Sequence, residues 1–157
     1  MPRVLCIEGD EELRTRIRAL LQTAGFTVEA TGSGLEGIGR ALTLPPDLVL
    51  AAVHLPDLEG WELAARLKRE SSLKDVPIVA VGASKEDHDL ALAAGADGFV
   101  QQPFDERLGE ELRAFLAGKR ERLDEDGERA TLRAISSEMA AHLESALTSG
   151  RRATERV

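Results

Sequence analysis

The sequence predicts an α/β protein: five parallel strands in one doubly wound sheet, helices on both faces, and a helical extension at the C-terminal end. Three observations predict it. Short apolar runs alternate five times with segments of helical periodicity up to about residue 118, and such alternation makes a parallel sheet with crossover helices. The apolar runs are continuous, as in strands buried on both faces. Beyond them the pattern changes to dense charge and then a single helical stripe.

Val4, Leu5, Cys6 and Ile7 form the first run and end in an acidic turn. Leu13, Ile17, Leu20 and Leu21 recur at helical spacing, and Gly25 stops that helix. Phe26 to Ala30 reads as a weak strand. A Gly-rich helix presenting Leu35, Ile38 and Leu42 follows, ended by Pro45 and Pro46. Leu48 to Val53 is the most apolar run and the expected central strand. Leu63, Ala64 and Leu67 mark the next helix, and Ile78 to Val81 the fourth strand. Leu90, Leu92, Ala93 and Ala94 belong to a small-residue helix closed by Gly95. Gly98 to Gln101 is a short fifth strand, and Leu108, Leu112, Phe115 and Leu116 give the last amphipathic helix of the body. Ligands of such sheets sit beyond the carboxyl ends of the strands. Function is therefore expected just after Ile7, Ala52, Val81 and Val100.

The chain has 157 residues, 20 Lys plus Arg against 28 Asp plus Glu, and a net charge of -8. A generally basic nucleic-acid surface is excluded, because phosphate contacts need clustered cations. With no Tyr and one Trp, aromatic stacking platforms are not expected either. No apolar run approaches the roughly 18 residues that cross a bilayer, and acids follow the first short apolar run, unlike a signal peptide. A lone Cys6 in an apolar run reads as a small buried hydrophobe. These features predict a cytoplasmic protein without membrane contact.

Residues 1–120 are expected to be one domain and 121–157 a helical extension, with eight basic and eight acidic residues from 119 onward. Asp126-Gly127 reads as a break. Leu132, Ile135, Met139 and Leu143 then recur at steps of 3 and 4, a coiled-coil-like stripe about two heptads long. The stripe is expected to pair with a second copy as a homodimer. The alternatives are folding back on the body or leading to an output domain beyond the chain, which would make this sequence a piece of a longer protein.

Several motifs in order carry a family resemblance: PDLVLAAVHLPDLEGWELAARLK at 46–68, DVPIVAVGA at 75–83 and GADGFVQQPF at 95–104. Together they resemble the response-regulator receiver domain, the CheY-like fold, over roughly residues 2–118. The resemblance implies a flavodoxin-like (βα)5 sheet of strand order 2-1-3-4-5. It also implies phosphoryl transfer to an Asp at the end of the third strand. That chemistry uses Mg²⁺ held by two acids after the first strand, a Ser or Thr after the fourth, and a Lys after the fifth. The metal neutralises phosphoryl charge, while the Lys and the hydroxyl contact its oxygens.

Carried over position by position, this sequence departs from that set. The nucleophile position holds Ala52, and a methyl group forms no acyl phosphate. The two metal-acid positions hold Glu8 and Gly9, with Asp10 beside them as a weak substitute. The hydroxyl position holds Gly82, followed by Ala83, and Ser84 comes two residues late. The Lys position holds Gln102, before a Pro103 expected to be cis. The switch aromatic position holds Phe99. Asp47 precedes Ala52 by five residues, roughly 16 Å along a strand, too far to stand in. His54 reads as an exposed loop residue, His88 as surface helix, and Glu8 with Asp10 as a solvated acidic rim. Trp61 reads either as a partner anchor or as partly buried against its loop.

The expectation is a degenerate pseudo-receiver: a phosphorylation-independent, non-enzymatic module of two-component phosphorelay signalling. It would act by protein–protein interaction with a signalling kinase or an output domain. No cofactor and no metal site are expected, with Mg²⁺ bound weakly at best. Two alternatives stay open at this point: a working phosphoacceptor using a non-standard acid, and a small-ligand sensor in the vacated cleft.

Overall fold

The computed structural model describes residues 1–134. Five strands, β1 (Arg3–Ile7), β2 (Thr27–Thr31), β3 (Leu48–Ala52), β4 (Ile78–Gly82) and β5 (Gly98–Gln101), form one parallel sheet in the order β2-β1-β3-β4-β5. The connecting helices are α1 (Glu11–Thr23), α2 (Gly34–Thr43), α3 (Gly60–Arg69), α4 (Lys85–Ala93) and α5 (Leu108–Leu116). A sixth helix, α6 (Glu125–Ala134), follows. This is the CheY-like, flavodoxin-type topology expected from the sequence, with the extra C-terminal helix.

The period of two in the strands sorts the core into two layers. Leu5, Ile7, Val49, Ala51, Ile78 and Ala80 face α2, α3 and α4. Val4, Cys6, Leu48, Leu50, Val79 and Val81 face α1 and α5. Each fully buried Leu, Ile or Val contributes about 1.5–3 kcal/mol, and the continuous apolar runs follow from having both faces covered. Burial pushes the Cys6 thiol up to about 12, so it is a packing residue.

Helix ends follow local chemistry. Asp10, Ser33 and Ser84 cap α1, α2 and α4 by accepting from Leu13, Glu36 and Asp87 backbone N–H groups. Gly25 and Gly95, at φ 93° and 106°, end α1 and α4 in the left-handed conformation that glycine adopts freely. The Gln102–Pro103 bond is cis.

Two readings are corrected, and for Trp61 the buried alternative holds. In α2 the buried residues are Gly34, Gly37 and Ala41, while Leu35 and Leu42 are 56% and 39% exposed. The cause is close approach: a Cβ at Gly37 would lie 2.4 Å from Ile7 Cδ1, so the small residues face the sheet and the leucines face out. Asp126-Gly127 is no break but lies in the first turn of α6, where Gly127 N–H donates to Asp124 Oδ1. Trp61 is buried in the first turn of α3, within the core.

The described part of the extension, residues 121–134, folds back on the body. Helix α6 packs on α4, and Leu123 and Leu132 pack against the α2–α4 core layer. Ile135, Met139 and Leu143, the rest of the expected pairing stripe, lie outside the described residues.

Candidate functional site

Strand register brings the site together. Ile7 pairs with Ala51, Ala52 with Val81, and Gly82 with Gln101. The carboxyl ends of β1, β3, β4 and β5 therefore align, and Glu8, Ala52, Gly82 and Gln102 meet at one end of the sheet. Gln102 N–H donates to Gly82 O at 2.9 Å. Asp47 lies at the other end, accepting from Arg3 N–H at 2.7 Å, as the strand arithmetic required.

At two of the positions that the resemblance assigns to the site, Gly82 and Gly9, neighbouring side chains occupy the space a Cβ would need. Ala52 is 5% exposed at the end of β3. A Cβ on Gly82 would lie 2.7 Å from Asp87 Cβ, 2.9 Å from Asp87 Oδ2 and 3.0 Å from Phe99 Cε2. A Cβ on Gly9 would lie 2.9 Å from Pro56 Cδ. Asp87 thus lies in the space at Gly82, and Pro56 of the β3–α3 loop closes the space at Gly9.

Asp87 is the residue that the sequence reading missed. Its Oδ2 accepts from Ala83 N–H at 3.1 Å, and its Oδ1 lies 3.0 Å from His54 Nε2. Burial pushes its carboxyl up, but the Ala83 bond, the His54 imidazole and Ser84 together outweigh that and hold it below the ordinary value. His54 is exposed, as expected, yet it ties the β3–α3 loop to α4 through this contact. The available signal was Ser84-x-x-Asp87, the spacing of a capping box.

The acids at the end of β1 are structural. Glu8 is 6% exposed, not part of a solvated rim. Its Oε1 accepts from Asp10 N–H at 3.0 Å, and Arg14 Nη1 donates to its backbone oxygen at 2.7 Å. Burial pushes its carboxyl above the ordinary value. Asp10 spends Oδ1 on the α1 cap, at 3.1 Å from Leu13 N. Neither is arranged as one of a set of oxygen ligands: among the described residues no group of three or more His, Cys, Asp or Glu could hold a metal ion. Of the positions that the receiver fold assigns to Mg²⁺, Gly9 and Ala52 carry no side-chain oxygen, and Pro56 Cδ lies 2.9 Å from where a Cβ at Gly9 would stand, so the side chains present fit that ion poorly.

Asp57 anchors the same loop from the other side. It accepts from Ser33 Oγ at 2.8 Å, Gly34 N at 2.9 Å and Leu35 N at 3.1 Å. These bonds at the positive end of α2 hold its carboxyl below the ordinary value. Phe99 is half-buried, with His88 edge-on at 5.3 Å, so His88 is not a free surface residue. Beside Gln102 and Pro103 lies a cavity of about 330 Å³, also lined by Leu13, Arg16, Ala83 and Phe104. Arg16 donates there to Phe104 O at 2.8 Å. Ala52 is not among the lining residues. Among the described residues no helix is long and apolar enough to cross a membrane.

Comparison with known proteins agrees with this architecture. Residues 4–113 match the response regulator receiver domain family. The chain is 31% identical over 119 residues to the DNA-binding dual master transcriptional regulator RpaA of Synechocystis, covering 74% of this chain and 49% of that protein. It is 30% identical over 120 residues to the polar-differentiation response regulator DivK of Brucella anthropi, covering 74% and 98%. The receiver domain of sensor histidine kinase PA1611 from Pseudomonas aeruginosa, which holds a magnesium ion in its active-site cleft, superposes with a TM-score of 0.67. That likeness is at 25% identity and covers 75% of this chain and 96% of that one. The chain spans about half the length of the transcriptional regulators it matches. Its topology, its loop motifs and these matches together place it in one family: the chain belongs to the response-regulator receiver domains of two-component signalling.

Proposed function

We propose that this receiver domain is a pseudo-receiver, a module that signals by binding a protein partner without being phosphorylated. One observation carries the reading: where a receiver needs a nucleophile, a second metal acid and a hydroxyl, this chain has Ala52, Gly9 and Gly82, and Pro56 and Asp87 close the space at the two glycines. A position merely lost to drift would leave room for the original side chain. Here the neighbouring chain has taken that room.

Without an acyl phosphate the module has no bond to make or break, so it acts as a binding protein rather than an enzyme. It binds Mg²⁺ weakly, unlike the PA1611 domain with its bound magnesium. Its partner is a signalling kinase or an output domain.

The test is incubation of the full chain with acetyl phosphate or phosphoramidate and Mg²⁺, followed by intact mass spectrometry. The expected result is an unchanged mass and a melting temperature insensitive to millimolar Mg²⁺. A stable phosphoryl adduct on Glu8, Asp10, Asp57 or Asp87 would overturn the proposal and make the chain a phosphoacceptor of unusual design.

A further inference from the structure

We infer that Asp97, the outer edge of β5 and the side of α4 form a docking cradle for the segment 119–134. That segment occupies the cradle within its own chain, and the same segment of a second copy occupies it when the first is released. The inference rests on reading the module as an interaction domain, but its test involves no phosphorylation.

The cradle begins with a buried charge. Asp97, just before β5, is 1% exposed. Its Oδ2 accepts from Lys68 Nζ at 2.9 Å and from Ile78 N–H at 2.8 Å. Its Oδ1 lies 3.2 Å from Arg122 Nη2 and 3.6 Å from Arg120 Nε. A carboxylate this buried is strongly held by its partners. One oxygen is satisfied by the body, through α3 and β4. The other is satisfied by the extension.

The second element is a strand edge. In the order β2-β1-β3-β4-β5, β5 has no strand on its outer side. The opposite edge, β2, carries Glu29 between Arg3 and Arg40, charges that discourage pairing with another chain. At β5 the extension itself does the covering. Glu121 N–H donates to Asp97 O at 2.7 Å, and Phe99 N–H donates to Glu121 Oε1 at 3.2 Å. The outward groups of residues 97 and 99 are those a sixth strand would use. The third element is α6, which lies on α4 with Leu123 and Leu132 against the core layer.

A second copy is the occupant whose chemistry matches the cradle, because every contact made within the chain is available between two copies. The hinge for such an exchange is Gly118, at φ 114° with open space around its Cβ position. Attachment to the body gives the internal segment an effective concentration of order mM, so it outcompetes a second copy until its latch is weakened. The latch separates from the fold, since removing Arg120 and Arg122 leaves Asp97 with Lys68 and Ile78 N–H.

The test uses the full chain carrying Arg120→Ala, Arg122→Ala and Leu132→Glu, checked for native far-UV circular dichroism. Amide exchange at Phe99 is measured, and a fluorescent peptide of residues 117–134 is titrated to about 1 mM, near the internal effective concentration. The inference expects at least tenfold faster exchange at Phe99 and saturable peptide binding to the variant at concentrations at least tenfold below those the unaltered chain requires. A peptide lacking both arginines should bind at least tenfold more weakly. Unchanged exchange at Phe99 would overturn the latch. Faster exchange without peptide binding, or equal binding of the arginine-free peptide, would overturn the cradle. If the triple variant fails to fold, Leu132→Glu alone is read by the same two measurements.

Discussion

The carboxylate of Asp87 stands where a side chain at Gly82 would stand: a Cβ built on Gly82 lies 2.7 Å from Asp87 Cβ and 2.9 Å from its Oδ2. Two positions five residues apart in sequence are thus one volume in space. Gly82→Ser overpacks it and is expected to cost about 1–3 kcal/mol. Asp87→Ala in the same chain should recover most of that cost. Urea unfolding of the two single variants and the double variant measures the coupling; additive effects would mean that the two residues do not compete for space.

Gly60 closes the β3–α3 loop onto the sheet. A Cβ there would lie 2.3 Å from Val53 Cα and 2.4 Å from Val53 O, and both are backbone atoms that cannot swing away. Gly60→Ala is therefore expected to destabilise by about 3 kcal/mol. It should also move the loop that carries His54 and Asp57. Thermal unfolding gives the first effect, and chemical-shift changes at Gly34 and Leu35, whose N–H groups bond Asp57, give the second.

Glu8 has a raised folded-state pKa because burial disfavours its charge. The folded chain then binds the Glu8 proton more tightly than the unfolded chain, so stability falls as pH rises through the interval between the two values. The cost is absent below the unfolded value of about 4.3 and complete above the folded one. Glu8→Gln keeps an oxygen for Asp10 N–H and removes the charge. It should raise the melting temperature at pH 7, with a gain that shrinks toward zero as the pH falls below 4.3. A gain independent of pH would show that burial of the charge is not the cause.

Asp87 has the opposite sign. Its folded-state pKa is lowered against the pull of burial, through Ala83, His54 and Ser84. Its contribution is present above the unfolded value of about 3.9 and is lost as pH falls through the lower folded value. Asp87→Asn should lower the melting temperature at pH 7 and flatten the acid limb of the stability–pH curve, read by calorimetry.

The outward leucines of α2 make the simplest check on its facing. Leu42→Gln is expected to change stability by less than about 0.5 kcal/mol. Ala41→Leu, at a position with no exposure, should cost about 1–3 kcal/mol. Equal costs at both positions would reverse the assignment.

Most of the fold was legible because its signals are local. Continuous apolar runs, Gly25 and Gly95 at helix ends, and the capping residues act within a few residues of themselves. The phosphoacceptor, metal and hydroxyl positions came from the family resemblance rather than from local signals, and what the register adds is that Glu8, Ala52 and Gly82 lie at one end of the sheet. The α2 face was misread in part: Ile38 does pack on the core, but Leu35 and Leu42, which share its helical periodicity, face out because Gly37 against Ile7 sets the distance between helix and sheet. Glu8 was misread as part of a solvated rim because its burial depends on what packs over it, whereas Asp10 is exposed as expected.

The sequence by itself determined a parallel α/β sheet, the absence of an Asp at position 52 and the amphipathic character of the extension. These are properties of residue identity and of periods of two and 3.6 residues along the chain. Tertiary structure alone decided that Asp87 fills the space at Gly82, that Asp57 caps a helix 23 residues before it, and that Arg120 and Arg122 converge on Asp97. The reason is physical: steric exclusion and charge pairing act through distance in space, and strand order, not sequence separation, sets that distance.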